Sequence, residues 1–439
     1  MKKARKTNRK VEESESEDIE LYESENDSEL GEEQHFVEEE EDIDDRRIKL
    51  AKRLIETTKK SLNDTLKRTK ETTNFFIEGE ELINQHTIQK LQDDEMEKKK
   101  KKKYYHMDSI LKFRKTKGAL PYQTLKGHKR PITAVCFCPK TNDVYSVAKD
   151  GAILVFRKEL GYKRFLFCDN ADKNPEGHAD ELLAIDISFD SKYLITAGKD
   201  KVIKLWDVEI QSLLHTFTGH RAAINCLKFR MLSHEFLSGS SDRSLRYWDA
   251  EQKGLIQNLY GHQSDMLALS ALSTEALVSV SFDKTPVVWK LEKEKQMMFK
   301  EQPFSLDCVS AIGTHSFVTG GQDGRICMWN LAKKGPRVSL ENAHEGGWVS
   351  AVSCCYNGDF VVSGAMDGYL KLYRASHETL KEMDLTFEFE EKCEGIISGL
   401  TLSNDNKHIA VSIGSEDRLG RWNFKKGNKS EIRVYQLFD

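Results

Sequence analysis

The sequence predicts an all-β fold, a propeller of seven four-stranded blades, preceded by a helical basic arm and an acidic N-terminal tail. Three observations predict it. A pattern of Ser/Thr, three residues, Asp, five residues and an aromatic recurs seven times over roughly the last 310 residues. Its aromatic positions lie 40 to 50 residues apart, the length of one four-stranded blade. The segments between turn residues are short and rich in β-favouring side chains, as in LKFR, HEFLSGS and SLRYWD within residues 227–249.

Residues 219–249 carry the fullest version of the unit. Gly219-His220 opens it, Ser238 stands four residues before Asp242, and Trp248-Asp249 closes it. This is the signature of a WD repeat, whose His, Asp, Ser/Thr and Trp form a hydrogen-bonded relay. Each polar group left unpaired in a core would cost roughly 1 to 3 kcal/mol. His220, Ser238, Asp242 and Trp248 are therefore read as a structural relay and not as catalytic groups.

The other members are Ser146/Asp150/Phe156, Thr196/Asp200/Trp206, Ser279/Asp283/Trp289, Thr319/Asp323/Trp329 and Ser363/Asp367/Tyr373. Ser412/Glu416/Trp422 completes the set with Glu in place of Asp. Gly-His opens the first four repeats at residues 127, 177, 219 and 261, and Ala343-His344 opens the sixth. The fifth and seventh have no such pair, so their relays are expected to be incomplete. Ring closure removes long free strand edges. Both TLKGH near residue 124 and EIRVYQL at 431–437 resemble an outer strand. The expectation is that the C-terminal strand fills the last position, with 120–126 leading into the first inner strand.

Residues 119–439 are assigned to the propeller, 46–118 to the basic arm and 1–45 to a disordered tail. The first ten residues hold six Lys/Arg, a pattern shared by nuclear targeting patches and by solvated termini. Residues 11–45 hold 19 Asp/Glu and no Lys or Arg, with too little apolar surface to bury. The arm carries a net charge of plus 10 and the propeller about minus 1. Within the arm, Ile48, Ala51, Ile55 and Leu62 fall near helical spacing, and a second helix is expected over 80–103. It ends in six lysines, Lys98, Lys99, Lys100, Lys101, Lys102 and Lys103, followed by Tyr104 and Tyr105. Such a run suits phosphates and stacked bases, or simply a solvated helix end.

No phosphate-binding GxxxxGK[ST], HExxH or nucleophile elbow occurs, and the Asp and His residues are largely taken up by the repeat. The sequence therefore points to no catalytic site, cofactor, metal or small-molecule substrate. The nine cysteines are scattered without CxxC pairs and are expected as buried thiols. No run of 18 apolar residues and no secretory signal pattern are present, so no membrane association is expected.

Function is sought on the face where the Asp turns and the loops entering each blade emerge. Beside those landmarks the first four repeats place Lys129, Arg130, Lys149, Lys199, Lys201, Arg221, Arg243 and Lys284. Repeat seven adds Arg418 and Arg421, whereas repeats five and six offer Gly324 and Gly368. In a closed ring these side chains form a basic crescent from blade seven to blade four, suited to a phosphodiester backbone or a phosphoprotein.

Four stretches resemble a particular WD-repeat family: RRIKLAKRLIETTKK, INQHTIQKLQDDEMEKKKKKKYY, FSLDCVSAIGTHSFVTGGQDGRICMW and GSEDRLGRWNFKKGNKSEIRVYQL. It is the WD-repeat family specific to the U3 small nucleolar ribonucleoprotein, and the resemblance runs over about residues 44–437. Tyr373-Arg374 departs from the pattern where a WD would stand. The resemblance implies a nucleolar, non-enzymatic subunit bound to U3 small nucleolar RNA, with the kink-turn-binding protein and the box C/D core proteins. It further implies action within the small-subunit processome, in the early cleavages of pre-ribosomal RNA. The runner-up reading of the same face is a WD-repeat adaptor presenting protein partners to a nuclear ligase or chromatin complex.

Overall fold

A computed structural model describes residues 106–170, 174–345, 347–376, 383–420 and 430–438. The acidic tail, both expected arm helices, Lys98 to Lys103 and Arg421 lie outside the described residues.

The repeats contain short strands broken by turn residues, and the described residues form seven antiparallel four-stranded sheets. The central strands Tyr193–Gly198, Ala276–Ser281, Ser316–Gly321 and Phe360–Ala365 are buried throughout, because both faces of a blade pack on neighbours. Their continuous apolar runs follow from that two-sided packing. The inner strands are Ile132–Phe137, Leu182–Ile187, Ile224–Phe229, Met266–Ala271, Leu306–Ala311, Val349–Cys354 and Ile396–Leu402. They pack in sequence, and the seventh returns to the first.

Every inner strand carries one register irregularity at its second residue, or in blade seven its third. The residues passed over are Thr133, Leu183, Asn225, Leu267, Asp307, Ser350 and Ser398, all lining the central channel. A bulge re-aims the unpaired residue and tightens strand twist. Here several re-aimed side chains tie one blade to the next. Thr133 Oγ1 donates to the Leu182 carbonyl at 2.8 Å, Asn225 Nδ2 to Met266 at 2.8 Å and Ser398 Oγ to Ile132 at 2.6 Å. Ser350 donates likewise to Ile397.

The closure differs from the expected one. In blade seven the order is Ile396–Leu402, His408–Gly414, Glu431–Gln436 and then Tyr122–Leu125. The C-terminal strand is third, not outermost, and the N-terminal strand pairs on it, Tyr122 opposite Tyr435 and Leu125 opposite Ile432. The strand that follows His408–Gly414 in this blade begins at Glu431, while Trp422 lies outside the described residues. Tyr435 lies opposite Ile409 as Trp248 lies opposite Phe236, and so takes the aromatic place assigned to Trp422.

The helix His106–Lys117 precedes the ring and packs on it. Met107, Ile110 and Phe113 enter the same core as Phe360, Leu372, Phe389 and Tyr435. The Met107 amide donates to both carboxylate oxygens of Asp359 at 3.1 and 3.2 Å, and Arg114 pairs with Glu391 at 3.0 Å. Arg374, the departure from the WD pattern, bridges Asp108 of the helix at 2.7 Å and Glu388 at 2.9 Å. Ile110 is fully buried. Ile110→Ala is expected to cost about 2 to 4 kcal/mol, read as a fall in denaturation midpoint with an unchanged slope. No change would mean that the helix is dispensable to the ring.

Candidate nucleic-acid and partner interface

The Asp turns present the candidate face, and the relay beneath holds them in place. In blade three, Trp248 Nε1 donates to Ser238 Oγ at 2.8 Å, Ser238 meets His220 Nε2 at 2.7 Å, and His220 Nδ1 meets Asp242 at 2.9 Å. Blades two and four repeat all three contacts through Trp206–Thr196–His178–Asp200 and Trp289–Ser279–His262–Asp283. Blades one and six keep the histidine contacts through His128 and His344, with Phe156 and Tyr373 in the tryptophan place. Blade five retains Trp329 on Thr319 at 2.9 Å, while Asp323 turns to Arg325 at 2.9 Å.

Protonation follows from the geometry. Burial lowers the His220 pKa, outweighing the pull of Asp242, so the ring is neutral; its proton faces the carboxylate and its bare nitrogen accepts from Ser238. Burial alone would raise Asp283. Hydrogen bonds from His262, Thr285 and the Gln263 amide outweigh it and hold the carboxyl at about 2. A carboxylate depressed below its unfolded value of 3.8 stabilises the fold fully above that value and loses the contribution as pH falls toward about 2. The expected result is a denaturation midpoint that falls between pH 4 and 2, with Asp283→Asn flattening part of that decline. An identical decline in the variant would remove this carboxylate as a cause.

A basic partner of the relay was missed in the sequence reading. Four residues after the ladder Asp, blades two, three and six place Lys204, Arg246 and Lys371. Lys204 Nζ donates to the Gly177 carbonyl at 2.7 Å, Arg246 to Gly219 at 2.8 Å and Lys371 to Ala343 at 3.0 Å. Each carbonyl belongs to the residue before a relay histidine. The signal was a basic residue at a fixed offset from Asp, in a strand otherwise apolar.

The structure sorts the proposed crescent. Lys129, Arg130, Lys201, Arg221 and Arg243 are exposed, and Lys284 is half-buried. Lys199 is partly exposed and pairs with Glu181 at 2.6 Å. Lys149 is the clear exception. It is buried, and its ammonium meets Glu416 at 3.1 Å and the Gly420 carbonyl at 3.3 Å. Its side chain is an internal tie between blades one and seven, not part of an exposed crescent; the sequence shows a Lys beside an Asp turn but not the distant carboxylate.

Arg418 is also directed inward. Its guanidinium crosses the channel mouth to the Leu267 carbonyl in blade four at 2.7 Å. Asp417, Arg418 and Leu419 line a cavity of about 50 Å³ with Phe282, Asp307, Gln322, Trp348 and Met366. Burial pushes the Asp307 carboxyl up to about 7, although Arg418 and Gln322 pull it down. Asp417, Arg418 and Leu419 of blade seven thus cover the channel on the Asp-turn face.

Backbone conformation singles out three crescent residues. The position after the ladder Asp has positive φ in six blades. Gly151, Gly324 and Gly368 occupy it in blades one, five and six, while Lys201, Arg243 and Lys284 hold φ of 65°, 67° and 66° in blades two, three and four. A left-handed conformation costs a non-glycine residue about 1 to 2 kcal/mol. Three consecutive blades therefore hold a basic side chain at the turn tip despite local strain.

Ring, relay and a non-uniform basic face define a WD-repeat propeller. The family model described as "WD domain, G-beta repeat" matches residues 120–157, 173–207, 211–249 and 336–374. The rice "U3 snoRNP-associated protein-like YAOH" (Oryza sativa subsp. japonica) is 32% identical over 353 residues, covering 72% of this chain and 68% of that protein. The human "U3 small nucleolar RNA-interacting protein 2" (Homo sapiens) is 33% identical over 328 residues, with the same two shares, 72% and 68%. The solved "Structure of U3-55K" superposes with a TM-score of 0.68 at 32% identity, over 72% of this chain and 98% of that one. The chain belongs to the family of U3 snoRNP-associated WD-repeat proteins.

Proposed function

We propose that this chain is a non-catalytic RNA- and protein-binding subunit of the U3 box C/D small nucleolar ribonucleoprotein. It acts in early pre-rRNA processing and small ribosomal subunit biogenesis, in the nucleolus. The observation that carries the reading is the run of basic tips at Lys201, Arg243 and Lys284, held at positive φ on adjacent blades beside exposed Arg221. Such a row meets phosphates by charge without reading base edges. A relative named "Ribosomal RNA-processing protein 9" (Saccharomyces cerevisiae), 24% identical over 530 residues, supports the placement in rRNA processing.

In this reading the Asp-turn face contacts U3 RNA and the kink-turn-binding protein beside it. The basic arm, with Lys98 to Lys103, lies along RNA or the box C/D core proteins within the small-subunit processome. The ring supplies position and the RNA pairing supplies sequence selectivity. Crosslinking the tagged protein in cells, then sequencing the RNA and mapping the crosslinked peptides, tests this. Enriched U3 RNA with crosslinked peptides containing Lys201, Arg221, Arg243 or Lys284 is the expected result. Protein crosslinks without any enriched small RNA would overturn it in favour of a protein adaptor.

A further inference from the structure

An outer strand of a propeller blade has one hydrogen-bonded neighbour, and its other edge presents free backbone donors and acceptors. Natural sheets blunt such edges with charge, proline, short length or covering groups. Six blades here do so. Blade one's outer strand Lys163–Cys168 carries Lys163 and Arg164, and blade six's Asp384–Lys392 carries five charged residues. Blade five's Lys333–Leu340 contains Pro336, and the Lys300 amide bonds the Lys334 carbonyl at 2.7 Å. Blade four's Lys295–Met298 and blade seven's Tyr122–Leu125 are four residues long. Blade two's Leu213–Phe217 has no exposed residue, and Lys253 reaches its Leu214 carbonyl at 3.5 Å.

Blade three is the exception. Its outer strand Gly254–Tyr260, GLIQNLY, has seven residues with no charge and no proline. Leu255, Ile256 and Tyr260 are 42%, 48% and 68% exposed. The strand pairs with Ser244–Asp249, and the register passes over Ile256 between Leu255 and Gln257. That bulge reverses the alternation, so that Leu255, Asn258 and Tyr260 share one face with Ile256 at its edge. Gln257 to Tyr260 pair in unbroken register, leaving a straight four-residue edge beside an apolar patch.

We infer that the Gly254–Tyr260 edge is a docking site for an extended segment of a partner protein, which adds a fifth strand to blade three. Backbone hydrogen bonds along Gln257–Tyr260 hold the segment, and an apolar side chain of the partner covers Leu255, Ile256 and Tyr260. The chemistry of the edge selects this occupant. RNA would require cations, and the strand has none. A second copy paired strand to strand would bury a few hundred Å² at most, below the ~1,200 Å² of a stable interface. A flexible segment needs no such area, because it follows the edge and contributes side chains to the patch. The inference does not depend on the RNA reading, which concerns the Asp-turn face.

The test places photoreactive benzoylphenylalanine at Asn258 of the full chain in cells, with the same group at Lys163 on blade one's outer strand as control. Adducts are mapped to the partner residue by mass spectrometry. The expected result is an adduct on a short segment of another protein, about tenfold above the control, falling at least about fivefold on Ile256→Lys. A synthetic peptide of that segment should slow amide exchange of Gln257–Tyr260 in the purified chain. Tyr260→Asp provides a second exposed substitution, and both variants should keep the parent denaturation midpoint. An adduct on RNA, an adduct on another copy of this chain, insensitivity to both substitutions, or no adduct above control would each overturn the inference.

Discussion

Replacing Arg221, Arg243 and Lys284 together by Glu should lower affinity for U3 RNA roughly 100-fold or more at physiological salt, because phosphate neutralisation dominates such binding. The slope of log affinity against log salt should become shallower by about two to three, one unit for each phosphate no longer neutralised. Arg221 and Arg243 are exposed and Lys284 is half-buried, so none should damage the core. Arg243 and Lys284 occupy left-handed turn positions, where Glu fits no worse than the native side chain. Lys163→Glu and Lys295→Glu, on outer strands, serve as matched charge controls. An unchanged slope with a folded triple variant would take these residues off the RNA-binding surface.

The second large effect concerns closure. Glu416→Met should lower the denaturation midpoint by about 5 to 10 °C, since removing one member of a buried ion pair costs about 3 kcal/mol or more. Lys149 and Glu416 have side chains only 4% and 10% exposed, and they join blades one and seven across the closure. In the variant the Lys149 ammonium still has the Gly420 carbonyl as an acceptor. Lys149→Met with Glu416→Met should recover most of the loss, because an apolar pair avoids the desolvation cost of both charges. A double variant no better than the single would show that packing, not charge, sets the penalty.

Local periodicity made the architecture legible. Ser238, Asp242 and Trp248 sit at fixed spacings within one hairpin pair, so the repeat and its relay could be read along the chain. Departures were legible as departures: the absence of His from repeat five foretold its altered relay, in which Asp323 turns to Arg325. What escaped the reading is non-local. Lys149 looked exposed because its partner lies 267 residues away, and Arg418 finds its acceptor 151 residues away. Trp422 fitted the spacing, yet the place opposite Ile409 belongs to Tyr435, thirteen residues further along the chain. The channel bulges carry no sequence mark, since Thr, Leu, Asn, Asp and Ser all occupy that place.

Tyr122–Leu125 is made by the ribosome about 300 residues before Glu431–Gln436, the strand on which it pairs. At 5 to 20 residues per second that interval is roughly 15 to 60 s. Six blades can be synthesised while the first strand still has no place to settle. Closure is therefore a late, single event in the life of the chain, and a nonsense change anywhere before residue 431 denies both ends of the ring their partner.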